Sequence, residues 1–138
     1  MTMEKSGKTW EINGISLPLD LSDADVMARY EDAFEAMGKD ETSIPKDGRG
    51  SERIRGYCNM YRNLYDRIFG DGTAARIFEG LPTSSEVYEN VYESFLDFVM
   101  GQKEEIANRR AAFLSRFTPN RAQKRSKNRT SGNGKRKA

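Results

Sequence analysis

Apolar and polar side chains alternate from Lys8 to Ile12 and again from Ile15 to Leu19, and Asn13-Gly14 stands between the two runs. A period of two marks a strand with one buried face. Asn-Gly tolerates the positive φ that both central residues of a type I′ turn require. The pattern predicts a hairpin over residues 8–20, with Trp10, Ile12, Ile15, Leu17 and Leu19 on one face. Pro18 has no N–H to give to a ladder, so the second strand is expected to be an edge there. A lone hairpin is marginal in water and needs something to pack on.

Beyond Leu19 the apolar period lengthens to that of a helix. Val26, Met27, Tyr30, Ala33, Phe34 and Met37 form one stripe, predicting a first helix from Asp23 to Met37. Ser22 is its expected cap, with Asp25 completing a box and Gly38 as its stop. Residues 38–50, with three glycines and Pro45, read as a loop. A second helix starts near Ser51, carries Ile54, Cys58, Tyr61, Leu64, Tyr65 and Ile68, and stops at Gly70. A short helix, Ala74 to Glu79, is expected behind a Thr73 cap. A last long helix follows the Thr83-x-x-Glu86 box, with Val87, Tyr88, Val91, Phe95, Phe98 and Val99 as its stripe. Gly101 weakens that helix and is expected to mark a kink or a boundary. The stripe resumes at Ile106, Phe113, Leu114 and Phe117 on a basic segment, and Pro119 closes the regular pattern.

The fold class that results is mainly α: an N-terminal hairpin packed on a small bundle of three to five helices. Residues 1–117 form the helical domain. Residues 118–138, whose only apolar side chains are two alanines, are expected to be a disordered basic tail.

Charge is divided sharply along the chain. From Arg109 onward there are eleven Lys and Arg and no acid, and eight of them lie in the tail: Arg121, Lys124, Arg125, Lys127, Arg129, Lys135, Arg136 and Lys137. Residues 1–108 carry twelve basic residues against all twenty-one acidic ones, a net of −9. The tail suits phosphates, an acidic protein surface, or simple solvation. The acidic body repels nucleic acid, so contact with it is expected only through the tail.

Candidate chemistry is sparse. The chain has no histidine and one cysteine, which excludes histidine-based triads, an intrachain disulfide and a multi-cysteine zinc site. Asp20, Asp23 and Asp25 cluster, but their spacing lacks the pattern of a calcium loop and suits capping of the first helix. Gly70-Asp-Gly-Thr73 lacks the lysine and the preceding strand of a phosphate-binding loop. Cys58 falls on an apolar stripe with no base to activate it. Tyr57, Tyr61, Tyr65, Tyr88 and Tyr92 recur at helical spacing, which suits core or rim contacts better than a base-stacking platform. No catalytic residue, metal or cofactor is expected. A single thiol, no spanning apolar run and a polar start fit a cytoplasmic protein without a membrane partner.

The order of motifs adds a resemblance. Trp10-Glu-Ile-Asn-Gly14, then Leu19-Asp-Leu-Ser-Asp-Ala-Asp-Val-Met27 and Tyr30-Glu-Asp-Ala-Phe34, resemble the opening of tail assembly chaperones from siphophages of Gram-positive hosts. Tyr65 to Thr73, Ile77 to Gly80, Tyr92 to Val99 and Pro119 to Arg125 are similar in the same order, so the likeness covers residues 8–125. Ser126 to Ala138 extend past the family pattern. The resemblance implies a protein of the host cytoplasm, absent from the mature virion. It would bind the phage tape measure protein and keep it soluble while the tail tube assembles. The tail tube protein and a second copy of the chain are further candidate partners. Tyr88, Tyr92, Phe95, Ile106, Phe113 and Phe117 are the candidate partner-binding residues, and the loop 38–50 is another candidate. The competing reading is a small helical protein that associates with nucleic acid through its basic C-terminal tail.

Overall fold

The computed structural model describes residues 8–117. The hairpin is formed by β1 (Thr9–Ile12) and β2 (Ile15–Pro18), followed by α1 (Ala24–Thr42), α2 (Gly50–Phe69), α3 (Thr73–Ile77) and α4 (Ser85–Phe117). The chain divides into two compact units, Met1–Lys103 and Glu104–Ala138. The tail residues 118–138 lie outside the described residues.

The strands are antiparallel, with Trp10 opposite Leu17 and Ile12 opposite Ile15. Asn13 and Gly14 turn the chain at φ 49° and 83°, the two positive angles of a type I′ turn. Trp10, Leu17 and Leu19 are buried, while Ile12 and Ile15 at the tip are half-buried.

Helix boundaries depart from the sequence reading at several places, α3 among them ending at Ile77 instead of Glu79, and most departures have a visible reason. Asp23, not Ser22, caps α1: its carboxylate accepts from the N–H of Asp25 and Val26 at 2.9 and 3.2 Å. Ser22 instead donates its hydroxyl to Asp20 at 2.6 Å. Gly38 does not end α1, which runs on to Thr42. The extra turn is held by Asp40, whose carboxylate meets Arg67 of α2 at 2.9 Å and Asn63 at 3.4 Å. The expected loop 38–50 therefore shrinks to seven residues, and Ile44 within it is buried against Gly56, where an added Cβ would stand 3.0 Å from it. Thr73 is the first helical residue of α3 and is buried; the cap comes from Asp66 of α2, which accepts from the Ala74 N–H at 2.8 Å. Ser84 takes the place of the Thr83 box, its hydroxyl accepting from the Val87 N–H at 3.3 Å. Gly101 lies inside α4 without ending it. The helix has no boundary there; the first compact unit ends at Lys103, two residues further on.

An aromatic cluster centres the first unit. The Trp10 ring lies 5.0 Å from Phe95, 5.6 Å from Tyr65 and 6.0 Å from Phe69. Its indole N–H donates to Ser94 Oγ at 3.1 Å. Phe78 stacks on Tyr88 at 3.8 Å. Rings packed this way bury large apolar areas and add roughly 1 kcal/mol per pair through their geometry. The hairpin is therefore a constituent of the core, which answers its instability alone.

Three side chains, Trp10, Asn13 and Gln102, fix where it sits through hydrogen bonds. Trp10 binds α4 through Ser94, as above. Asn13 Nδ2 donates to the Ile77 carbonyl at 2.9 Å, tying the turn to α3. Gln102, buried at 3% exposure, closes the arrangement. Its Nε2 donates to the Leu19 carbonyl at 2.8 Å, and its Oε1 accepts from the Leu21 N–H.

Candidate partner-binding surface

Asp20 accepts from the Ser22 hydroxyl and backbone N–H and pairs with Lys8 at 3.7 Å. The Ser22 hydroxyl bond, then the backbone bond, hold its carboxyl below the usual range. Together with the Asp23 cap, this makes the acidic cluster a helix-start device. Among the described residues, no group of three or more His, Cys, Asp or Glu is placed to hold a metal. Cys58 is buried, and burial pushes its thiol up, away from the thiolate that a nucleophile needs. Gly70 to Thr73 form a turn between α2 and α3, closed by Thr73 N–H to Gly70 carbonyl at 3.2 Å.

The six candidate partner-binding residues separate into two groups. Tyr88 and Phe95 are corrected to core positions, at 2% and 0% exposure. Tyr88 is stacked under Phe78 and its hydroxyl accepts from Arg62 at 3.0 Å; Phe95 meets Trp10, Tyr65, Phe69 and Phe34. Their i, i+7 spacing belongs to the buried stripe of α4. Tyr92 lies between, half-buried against Tyr61 at 4.8 Å.

Ile106, Phe113 and Phe117 belong to the second unit. Phe113 and Phe117 are exposed at 52% and 63%, with Leu114 at 48%, and Ile106 is half-buried. Phe113 and Phe117 touch each other at 4.6 Å. Arg109, Arg110 and Arg116 are exposed beside them, and Arg116 lies over the Phe117 ring at 5.7 Å. Ile106, Arg109, Arg110, Ala112, Phe113 and Arg116 wall a shallow groove on the last turns of α4. Helical register explains the stripe. The core positions Phe95, Val99 and Gln102 continue at steps of three and four to Ile106, and after a step onto Arg109 and Arg110, to Phe113 and Phe117. The face that is buried as far as Gln102 persists in the sequence beyond Lys103.

The eight tail residues, Arg121, Lys124, Arg125, Lys127, Arg129, Lys135, Arg136 and Lys137, lie outside the described residues. The sequence reading missed Met100, which is 66% exposed on the outer face of α4, and Gln102, a polar residue in the core. No periodicity rule flags a buried glutamine, whose role depends on carbonyl and amide groups eighty residues away.

Among the described residues, no helix is long and apolar enough to cross a membrane. No curated protein and no solved structure matches the chain. A family model described as "Family of unknown function (DUF6673)" matches residues 13–128, from the hairpin turn through the whole of α4, and the chain belongs to that family.

Proposed function

We propose that this protein is a phage tail assembly chaperone, acting in the host cytoplasm, which binds the tape measure protein and keeps it soluble while the tail tube forms. The observation that carries the reading is the exposed stripe Phe113, Leu114 and Phe117 with its flanking arginines. An apolar stripe beside a charged one is the surface an amphipathic helix docks on. The order of motifs along residues 8–125 supports the same reading. Such a protein works by contact and needs no reactive group or cofactor. Co-expression with the tape measure encoded downstream tests it. The expected result is a soluble complex that co-purifies, and that is lost in the double variant Phe113→Asp/Phe117→Asp. A tape measure that stays equally insoluble, with no complex, rejects it.

A second reading rests on the eleven Lys and Arg after Asn108 with no acid among them. It makes the chain a nucleic-acid-associated protein. Binding of DNA or RNA should then weaken steeply as salt rises, and should vanish when residues 118–138 are removed.

A further inference from the structure

One arginine of the second unit is ringed by apolar side chains. Ile106 lies four residues before Arg110, and Phe113, Leu114 and Phe117 lie three, four and seven after it, so all four share its face of the helix. Phe113, Leu114 and Phe117 are exposed, Ile106 is half-buried, and Arg110 is exposed in their midst. Arg109 and Arg116 border the same face. Among the described residues, no ion pair engages any of the three arginines. The sequence from Ile106 to Ala138 has no Asp or Glu, and the eight Lys and Arg of residues 118–138 add to the positive charge of this unit. Whatever covers the apolar ring also takes water from the Arg110 guanidinium. A charge covered in this way is costly unless it is paired and hydrogen-bonded.

We infer that the segment docking on this stripe is an acidic amphipathic helix, with one carboxylate inside its apolar face to pair with Arg110 and others along its flank to meet Arg109 and Arg116. This rests on the chaperone reading for one premise, that a protein helix covers the stripe, and adds the charge of that helix. A carboxylate suits the position because its two oxygens match the fork of a guanidinium. The basic residues of 118–138 strengthen the field that draws an acidic partner in. Other occupants fit less well. A phosphate backbone would pair with the arginines but leave the apolar ring in water. A lipid surface would take Arg110 into the acyl chains at the centre of the buried arc, where a guanidinium is costliest. The same face of a second copy would set arginine against arginine.

The test is fluorescence anisotropy with nuclease-treated full-length protein and three labelled synthetic peptides. The first is a helix with a leucine stripe, one Glu within the stripe and Glu along its flanks. The second has Lys in place of every Glu. The third is the first with its order scrambled, which keeps the charge for the basic tail but has no stripe. Wild type should bind the acidic helix about tenfold or more tighter than either of the others. Arg110→Leu makes the stripe more apolar, and Arg110→Gln keeps it polar without charge. Both should weaken binding of the acidic helix by about tenfold or more, because the partner carboxylate is left covered and unpaired. Phe113→Ser/Phe117→Ser leaves the charge unchanged and should abolish the preference for the acidic helix over its scramble. The substituted side chains are exposed, and circular dichroism checks that each variant keeps its helices. No binding of the acidic helix by wild type, equal binding of the scramble, preference for the lysine helix, or a tighter acidic complex in Arg110→Leu overturns the assignment. So does binding to phosphatidylglycerol vesicles or duplex DNA that Phe113→Ser/Phe117→Ser abolishes. Overlapping segments of the tape measure are run beside the peptides. Segments bound without regard to their charge overturn the assignment and keep the chaperone reading; no bound segment, with the acidic helix still preferred, does the reverse.

Discussion

Gln102 shows how much one side chain can hold. Both ends of its amide are used, on the Leu19 carbonyl and the Leu21 N–H, and it sits at 3% exposure. Replacing it with leucine keeps the volume but orphans both backbone groups, each at about 1–3 kcal/mol. Gln102→Leu should therefore lower stability by roughly 2 kcal/mol or more in urea unfolding, although a leucine continues the apolar stripe. Tyr65 presents the opposite situation. Among the described residues its buried hydroxyl has no hydrogen-bond partner, and burial raises its pKa far above that of a free phenol. Burial also raises Tyr61 and Tyr92, helped by Tyr92 on the first and Tyr30 on the second. A phenol in the unfolded chain ionises near pH ~10, so the folded form holds these protons more tightly. Stability is then intact below about pH 10 and falls as pH climbs toward the raised values. The tyrosinate absorbance that Tyr65→Phe removes should appear only with the loss of helical circular dichroism, and its appearance well before unfolding would contradict this.

At the scale of elements, the hairpin and the helices were legible because periodicity is local. Trp10-Glu-Ile-Asn-Gly14 carries its turn and its buried face in five residues, and the stripes of α2 and α4 name Leu64, Tyr65, Ile68, Phe95 and Val99 as core. Boundaries were less legible because distant residues set them: Arg67 extends α1 past Gly38, and Asp66 caps α3 in place of Thr73. The partner surface was half legible. Periodicity finds an apolar stripe, but it does not say where covering ends, so Tyr88 and Phe95 were grouped with Phe113 and Phe117. Gly101 was read as an interruption. It is an exposed helical residue, and an added Cβ would meet nothing within 4 Å. Gly101→Ala should raise the stability of the compact unit by about 0.5–1 kcal/mol, seen as a higher urea midpoint with an unchanged slope.

At the scale of the molecule, the ends of the chain differ in kind. The first unit holds the aromatic cluster and stops at Lys103, one residue past Gln102, whose side chain bonds the strand exit. Residues 104–117 present apolar and basic side chains to solvent. Removing residues 104–138 should then leave a cooperative fold with a melting temperature within a few degrees of the full chain, while association with any partner is lost. A fragment 1–103 that melts without cooperativity would show that the second unit contributes to the core.

The anchoring of the hairpin also orders events in time. Every group that fixes it comes late: Ile77 for the turn, Ser94 for the indole, Gln102 for the strand exit. Synthesis runs in the reverse of that dependency, so the hairpin at residues 9–18 is made well before the groups that anchor it. Contacts of such separation delay folding. A ribosome paused before residue 65 therefore displays a tryptophan-bearing segment whose aromatic neighbours Tyr65, Phe69 and Phe95 have not yet been made.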